Sequence, residues 1–127
     1  MNKKILIIDD DAHIRLLLKR SLRHLEDSGV DLLFAEDGKE GVEIAKREKP
    51  DLVFLDICLP ELNGFEVFEM IRHDPRLQKT YIIFLTAKGQ EYDKEIGSKV
   101  GADDYITKPF DTDVILAIAC EKLGIKV

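Results

Sequence analysis

Three aspartates in a row, Asp9, Asp10 and Asp11, follow directly on the apolar run Ile5-Leu6-Ile7-Ile8. Clustered carboxylates repel one another and are costly to desolvate, so a core strand that ends in them needs a compensating partner. Further along, the apolar run Leu52–Leu55 ends at Asp56, Tyr81–Leu85 ends at Thr86, and a shorter run leads out to Lys108. A hard cation would offset the acids. Mg2+ takes oxygen ligands, keeps several waters, and uses one or two carboxylates alongside phosphate. Zinc fits poorly, because no His or Cys pair near these acids has the required spacing. A carboxylate in such a setting can also be a nucleophile that accepts a phosphoryl group. That transfer depends on positioning and charge neutralisation. The cation and Lys108 would offset charge on the phosphoryl oxygens, and the Thr86 hydroxyl would donate a hydrogen bond to one of them. Taken singly, each residue has an ordinary structural reading. Asp11 reads as the N-cap of the following helix, and a Thr or a Lys-Pro after a strand is commonly a solvated turn. Their joint arrival at one edge of a sheet is what the ordinary readings explain badly.

The groups converge only if the chain between them alternates strand and helix. Strands are expected at Lys4–Ile8, Asp31–Ala35, Leu52–Leu55, Tyr81–Leu85 and Asp104–Ile106. Helices are expected at Ala12–Leu25, Gly38–Glu48, Phe65–Arg72, Gln90–Val100 and Asp111–Leu123. In the first helix Ile14, Leu17, Leu18 and Leu25 share a face, with Arg15, Lys19, Arg20 and Arg23 outside it. Ser28-Gly29, Lys49-Pro50, the loop Pro60–Gly64 and Pro75 punctuate these elements. Strands 1, 3 and 4 are almost uniformly apolar, as parallel strands covered on both faces should be. Right-handed crossovers then give a doubly wound α/β fold with helices on both faces. Ligand sites in such sheets lie beyond the carboxyl ends of the strands, where these polar residues fall.

The totals bound the function. The 127 residues suit one domain spanning 1–127, and a 45% hydrophobic content is that of a globular chain. No apolar run has the length of a membrane span, and the N-terminus lacks a signal-peptide pattern, so a cytoplasmic protein is expected. The net charge of −6 argues against direct nucleic-acid binding, which requires a basic surface. Cys58 and Cys120 have no metal or redox spacing and read as free thiols. His13, His24 and His73 read as surface residues.

At these residues the sequence resembles the receiver domain of bacterial two-component response regulators, in order and over essentially the whole chain. "ILIIDDDAHIR" is similar to that family's first strand and acidic pair. "LVFLDICLPELNGFEV" is similar to its phosphoacceptor strand and loop, "IIFLTAK" to the strand ending in the switch Ser/Thr, and "GADDYITKPF" to the segment with the switch aromatic and the Lys-Pro pair. The resemblance implies a flavodoxin-like five-stranded sheet in the order 2-1-3-4-5. It implies that Asp56 is the phosphoacceptor. Asp10 would bind Mg2+ directly, Asp9 directly or through water, and the backbone carbonyl of Cys58 would add a ligand, with Mn2+ as the alternative ion. Lys108 would pair with the phosphoryl group, and Thr86 and the backbone amide of Ala87 would contact it. The Tyr105 ring would move inward as Thr86 shifts, and the peptide before Pro109 would be cis. The donor would be a phosphohistidine on a sensor histidine kinase or a histidine phosphotransfer protein. The chain would then be a switch and not a turnover enzyme.

Asn63-Gly64 stands where many relatives have Asp-Gly, and Asn tolerates the same turns. The last helix, "DTDVILAIACEKLG", is apolar over most of its circumference. With Ile115, Leu116, Ala119 and Leu123 covering the sheet, Val114 and Ile118 would face outward, and exposed apolar pairs often mark docking surfaces. In the family the output face combines the helix expected at Gln90–Val100, the fifth strand with Tyr105, and the last helix. Its occupant here would be a downstream protein or a second phosphorylated copy. The chain ends at Gly124-Ile125-Lys126-Val127, directly after that helix. As a whole protein it would be a stand-alone receiver; as an excised piece it would have lost an output domain. Two rivals remain. One is a receiver-fold binding module that is not phosphorylated. The other is a haloacid-dehalogenase-type phosphatase, suggested by Asp9-x-Asp11, although the order of Lys108 and Asp103-Asp104 is wrong for it.

Overall fold

The computed structural model describes residues 2–87 and 103–126. Five strands, β1 (Lys4–Ile8), β2 (Asp31–Ala35), β3 (Leu52–Asp56), β4 (Tyr81–Ala87) and β5 (Asp104–Lys108), form one parallel sheet in the order β2-β1-β3-β4-β5. The expected order and the parallel pairing are both found. The helices are α1 (Ala12–Ser21), α2 (Arg23–Asp27), α3 (Gly38–Glu48), α4 (Gly64–Arg72) and α5 (Thr112–Leu123), with a 3-10 turn at Pro75–Leu77. The helix expected at Gln90–Val100 lies outside the described residues.

Successive side chains of a strand point to opposite faces, and both faces of this sheet are covered. Leu6, Ile8, Val53, Leu55, Ile82 and Phe84 pack in one layer with Val42 and Ala45 of α3 and Val67, Phe68 and Ile71 of α4. Ile5, Ile7, Leu52, Phe54, Ile83 and Leu85 pack in the other with Leu18 of α1, Leu25 of α2, and Ile115, Ala119 and Leu123 of α5. That two-sided burial is why the strand signal is continuous apolar character and not alternation. No helix among the described residues is long and apolar enough to cross a membrane.

Three expectations are corrected. The first helix is two helices, because the chain leaves helical geometry at Leu22 (φ −101°, ψ 11°). Just before the break the Ser21 hydroxyl donates to the Leu17 carbonyl at 2.8 Å, a back-bond of the kind that bends helices. The bend lets both Leu22 and Leu25 be fully buried. The third, fourth and fifth strands each run further than their apolar stretches, to Asp56, Ala87 and Lys108, because the ladders continue through Asp56↔Leu85 and Ala87↔Lys108. Asp56, Thr86 and Lys108 are therefore held by the sheet itself. Lastly, Val114 is 46% exposed, but Ile118 is half-buried against the second layer. Three residues on from Ile115, it lies only about 60° around the helix from the fully buried stripe.

Candidate functional site

β1 delivers Asp9, β3 delivers Asp56 and β5 delivers Lys108 to the carboxyl edge of the sheet. Asp9 is fully buried. Its backbone N–H donates to the Ala35 carbonyl at 3.2 Å. One carboxylate oxygen accepts the Asp11 N–H at 2.9 Å and the other accepts the Lys108 ammonium at 3.0 Å. Asp56 is 7% exposed. Its Oδ1 accepts the Cys58 N–H at 3.1 Å and lies 3.6 Å from Lys108 Nζ. Asp10 is exposed, and Asp9, Asp10 and Asp56 each offer a carboxylate oxygen within 4.8 Å of the others.

The arrangement is charged and uncompensated. Burial, then the neighbouring Asp9 charge, push the Asp56 carboxyl up to about 6; Lys108 and the Cys58 amide pull the other way, and Asp10 adds to the rise. Burial disfavours the Lys108 ammonium, but its hydrogen bond to Asp9 and the charges of Asp56 and Asp9 outweigh this and hold its pKa above the usual lysine value. One ammonium faces three carboxylates. An all-oxygen donor set with surplus negative charge fits a hard divalent cation such as Mg2+. Asp9, Asp10 and Asp56 are the side chains that would hold it. Cys58, with an exposed side chain, stands beside them, and its amide is already bound to Asp56.

The remaining site residues take these places. Thr86 is fully buried, and its hydroxyl donates to Thr107 Oγ1 at 3.5 Å. Ala87 closes β4 opposite Lys108. The Lys108–Pro109 peptide is cis. The Tyr105 ring stacks on Phe84 with centroids 5.9 Å apart, and Phe84 also contacts Phe65 and Phe68. The Tyr105 hydroxyl is buried, with no hydrogen-bond partner among the described residues. Asp11 is the N-cap of α1, accepting the His13 N–H at 2.8 Å. The Asp9-x-Asp11 pair is thus divided between a buried site carboxylate and an exposed cap. Val114 and Ile118 stand on α5.

Two supporting residues escape a reading of the sequence. Gly64 looks like part of a turn, but it packs on the end of β3. A Cβ there would meet the Asp56 carbonyl oxygen at 2.4 Å and Ile57 Cα at 2.7 Å, and the Gly64 N–H donates to the Ile57 carbonyl at 2.9 Å. Asn63 before it caps α4 by accepting the Glu66 N–H at 3.0 Å. Arg15, expected on the outer face of its helix, instead reaches back so that its guanidinium donates to the Asp9 carbonyl at 2.8 Å and pairs with Glu36 at 3.4 Å. Its spacing six residues after Asp9 is the only signal the sequence offers.

Comparison with known proteins agrees with this fold. The family model of the response regulator receiver domain matches residues 5–119. The chain is 48% identical over 110 residues to the alkaline phosphatase synthesis transcriptional regulatory protein PhoP of Bacillus subtilis, covering 87% of this chain and 44% of that protein. It is 45% identical over 114 residues to the DNA-binding dual master transcriptional regulator RpaA of Synechocystis, covering 90% of this chain and 46% of that one. The chain thus spans under half the length of these curated relatives. Among solved structures, the chemotaxis response regulator CheY4 of Vibrio cholerae superposes with a TM-score of 0.84 at 28% identity, over 96% of this chain and 99% of that one. A putative response regulator from Chloroflexus aurantiacus gives 0.87 at 28% identity, over 98% and 99%.

Proposed function

The chain belongs to the response regulator receiver domain family, and from that premise we propose that it is a phosphoryl-accepting signalling switch with Asp56 as the acceptor. An Asp56 carboxylate oxygen attacks phosphorus, the N–P bond of a phosphohistidine breaks, and the imidazole leaves with the bonding pair. The donor is a sensor histidine kinase or a histidine phosphotransfer protein. Mg2+, or Mn2+ in its place, supplies charge neutralisation for the phosphoryl oxygens when bound. Asp9, Asp10 and Asp56 would hold it, with the Cys58 carbonyl as a further ligand. Lys108, 3.6 Å from Asp56, pairs with the added phosphoryl group. Thr86 and the Ala87 amide contact that group, Tyr105 responds, and the face formed with β5 and α5, including the exposed Val114, changes its affinity for a protein partner. The chain turns over no external substrate and, at a net charge of −6, does not grip nucleic acid by itself.

The observation that carries this reading is the placement of a nearly buried Asp56 within reach of both a carboxylate pair and an ammonium from three separate strands. Incubation with Mg2+ and acetyl phosphate should add a single phosphoryl group by intact mass, and chelation should prevent it. No adduct, confirmed with a phosphohistidine donor, would make the chain a silent receiver-fold binding module.

The surplus charge gives an independent expectation. A ligand that binds only the folded state adds about 1.4 kcal/mol of stability at ten times its Kd. Millimolar Mg2+ should therefore raise the melting temperature by a few degrees over the protein in chelator. A melting temperature indifferent to Mg2+ would count against a metal site at Asp9, Asp10 and Asp56.

A further inference from the structure

Thr86 lies on β4, between β3 with Asp56 and β5 with Thr107, and the register sets Thr86 directly opposite Thr107. The Thr86 hydroxyl donates to Thr107 Oγ1, across the edge of β4 that faces away from Asp56. A threonine hydroxyl has one hydrogen to donate, so it serves one strong acceptor at a time. Thr86 is fully buried, so water does not readily replace a lost acceptor. We propose that Thr107 is a positioning residue for the switch: its hydroxyl oxygen holds the Thr86 hydroxyl toward β5, in competition with a phosphoryl group on Asp56. The inference rests on the phosphoacceptor reading above.

A ligand shifts a two-state element only through contacts that differ between the states. The Thr86–Thr107 bond is such a contact, present in this arrangement and given up when Thr86 turns its hydrogen to the phosphoryl oxygen. Replacing Thr107 by Val keeps a β-branched side chain suited to a strand but removes the acceptor. The Thr86 donor is then left without that partner in the resting arrangement alone, and the phosphoryl-bound arrangement is favoured. At 3.5 Å the bond is long for O–H···O, so the effect should be modest, about two- to fivefold.

The test is titration with beryllofluoride, an analogue of the phosphoryl group, at fixed Mg2+, followed by melting temperature and by amide chemical shifts. Thr107→Val should reach its midpoint at a two- to fivefold lower concentration than wild type, while Thr107→Ser should titrate like wild type. In a Thr86→Ala background the Thr107→Val change should move the midpoint no further, since there is no hydroxyl left to hold. An unshifted or weakened Thr107→Val midpoint overturns the inference, as does an equal shift in the Thr86→Ala background, which would mark a purely packing effect. If Val at 107 impairs folding, Thr107→Ala also removes the acceptor and is compared in the same two backgrounds, with the same expected and overturning results. A wild-type protein that does not respond to beryllofluoride at all would instead bring down the phosphoacceptor reading, and the Thr107 inference with it.

Discussion

Asp56→Asn should abolish the phosphoryl adduct and, in chelator at neutral pH, make the protein more stable than wild type. The first effect follows from removing the nucleophilic oxygen, since an amide in the same place does not accept the group. The second follows from electrostatics. Burial and the Asp9 charge raise the Asp56 carboxyl to about 6 in the folded protein, against an ordinary value of 3.8. Between about pH 4 and pH 6 the folded state therefore binds more protons at this position than the unfolded state does. The contribution of Asp56 to stability falls as pH rises through that window, and the full cost is present above pH 6. A shift of that size corresponds to at most about 3 kcal/mol, which Asn removes along with the charge. That figure is already net of the Lys108 attraction, which pulls the Asp56 carboxyl down, and Lys108 keeps its bond to Asp9 when Asp56 is neutralised. A rise of roughly 5 °C or more is expected for a chain of this size.

The pH and metal dependence separate this from generic stabilisation. The advantage of Asp56→Asn over wild type should shrink as pH falls from 7 to 4, because the wild-type carboxyl protonates and loses its penalty. Mg2+ should narrow the gap from the other side by stabilising wild type more than the variant. Thermal melts of both proteins across pH 4 to 8, with and without Mg2+, decide the matter. A variant that melts below wild type at pH 7.5 in chelator, or a gap that stays constant with pH, would show that Asp56 is not the strained acid of the cluster.

The same physics explains what is legible in the sequence. A parallel strand buried on both faces must be apolar throughout, so β1, β3 and β4 announce themselves, and the polar residues at their ends mark the edge where they stop. Asp9, Asp56, Thr86 and Lys108 stand out because each interrupts or follows such a run. The bend at Leu22 is hidden, because Leu22 and Leu25 keep an apolar helical pattern across it, and the Ser21 back-bond depends on a rotamer. Arg15 is hidden because its partner is the Asp9 backbone carbonyl, which carries no sequence signal. The expectation for Ile118 fails because it stands only about 60° around the helix from Ile115, near enough to the buried stripe to pack against the same core layer. Gly64 is recognisable as a turn residue, but for the wrong reason: its role is close approach to β3, which only the packed fold reveals.

That close approach gives the second large effect. Gly64→Ala should destabilise the protein by about 1–3 kcal/mol and slow phosphorylation well beyond what the stability loss explains. The new methyl group would lie 2.4 Å from the Asp56 carbonyl oxygen, 2.7 Å from Ile57 Cα and 3.1 Å from the Asp56 carbonyl carbon. All three are backbone atoms, so no side chain can rotate away. Either α4 retreats, weakening the burial of Val67, Phe68 and Ile71, or the end of β3 is pushed and Asp56 moves with it. Displacement of a reacting group by about 1 Å can cost on the order of a hundredfold in rate. Gly29→Ala is the matched comparison: its Cβ would meet nothing within 4 Å, although its φ of +102° strains any side chain. Gly29→Ala should therefore lose stability through the backbone alone and keep its phosphorylation rate under conditions where it remains folded. If Gly64→Ala, folded at the same temperature, accepts the phosphoryl group from acetyl phosphate as fast as Gly29→Ala does, the contact between α4 and β3 sets stability but not the position of Asp56.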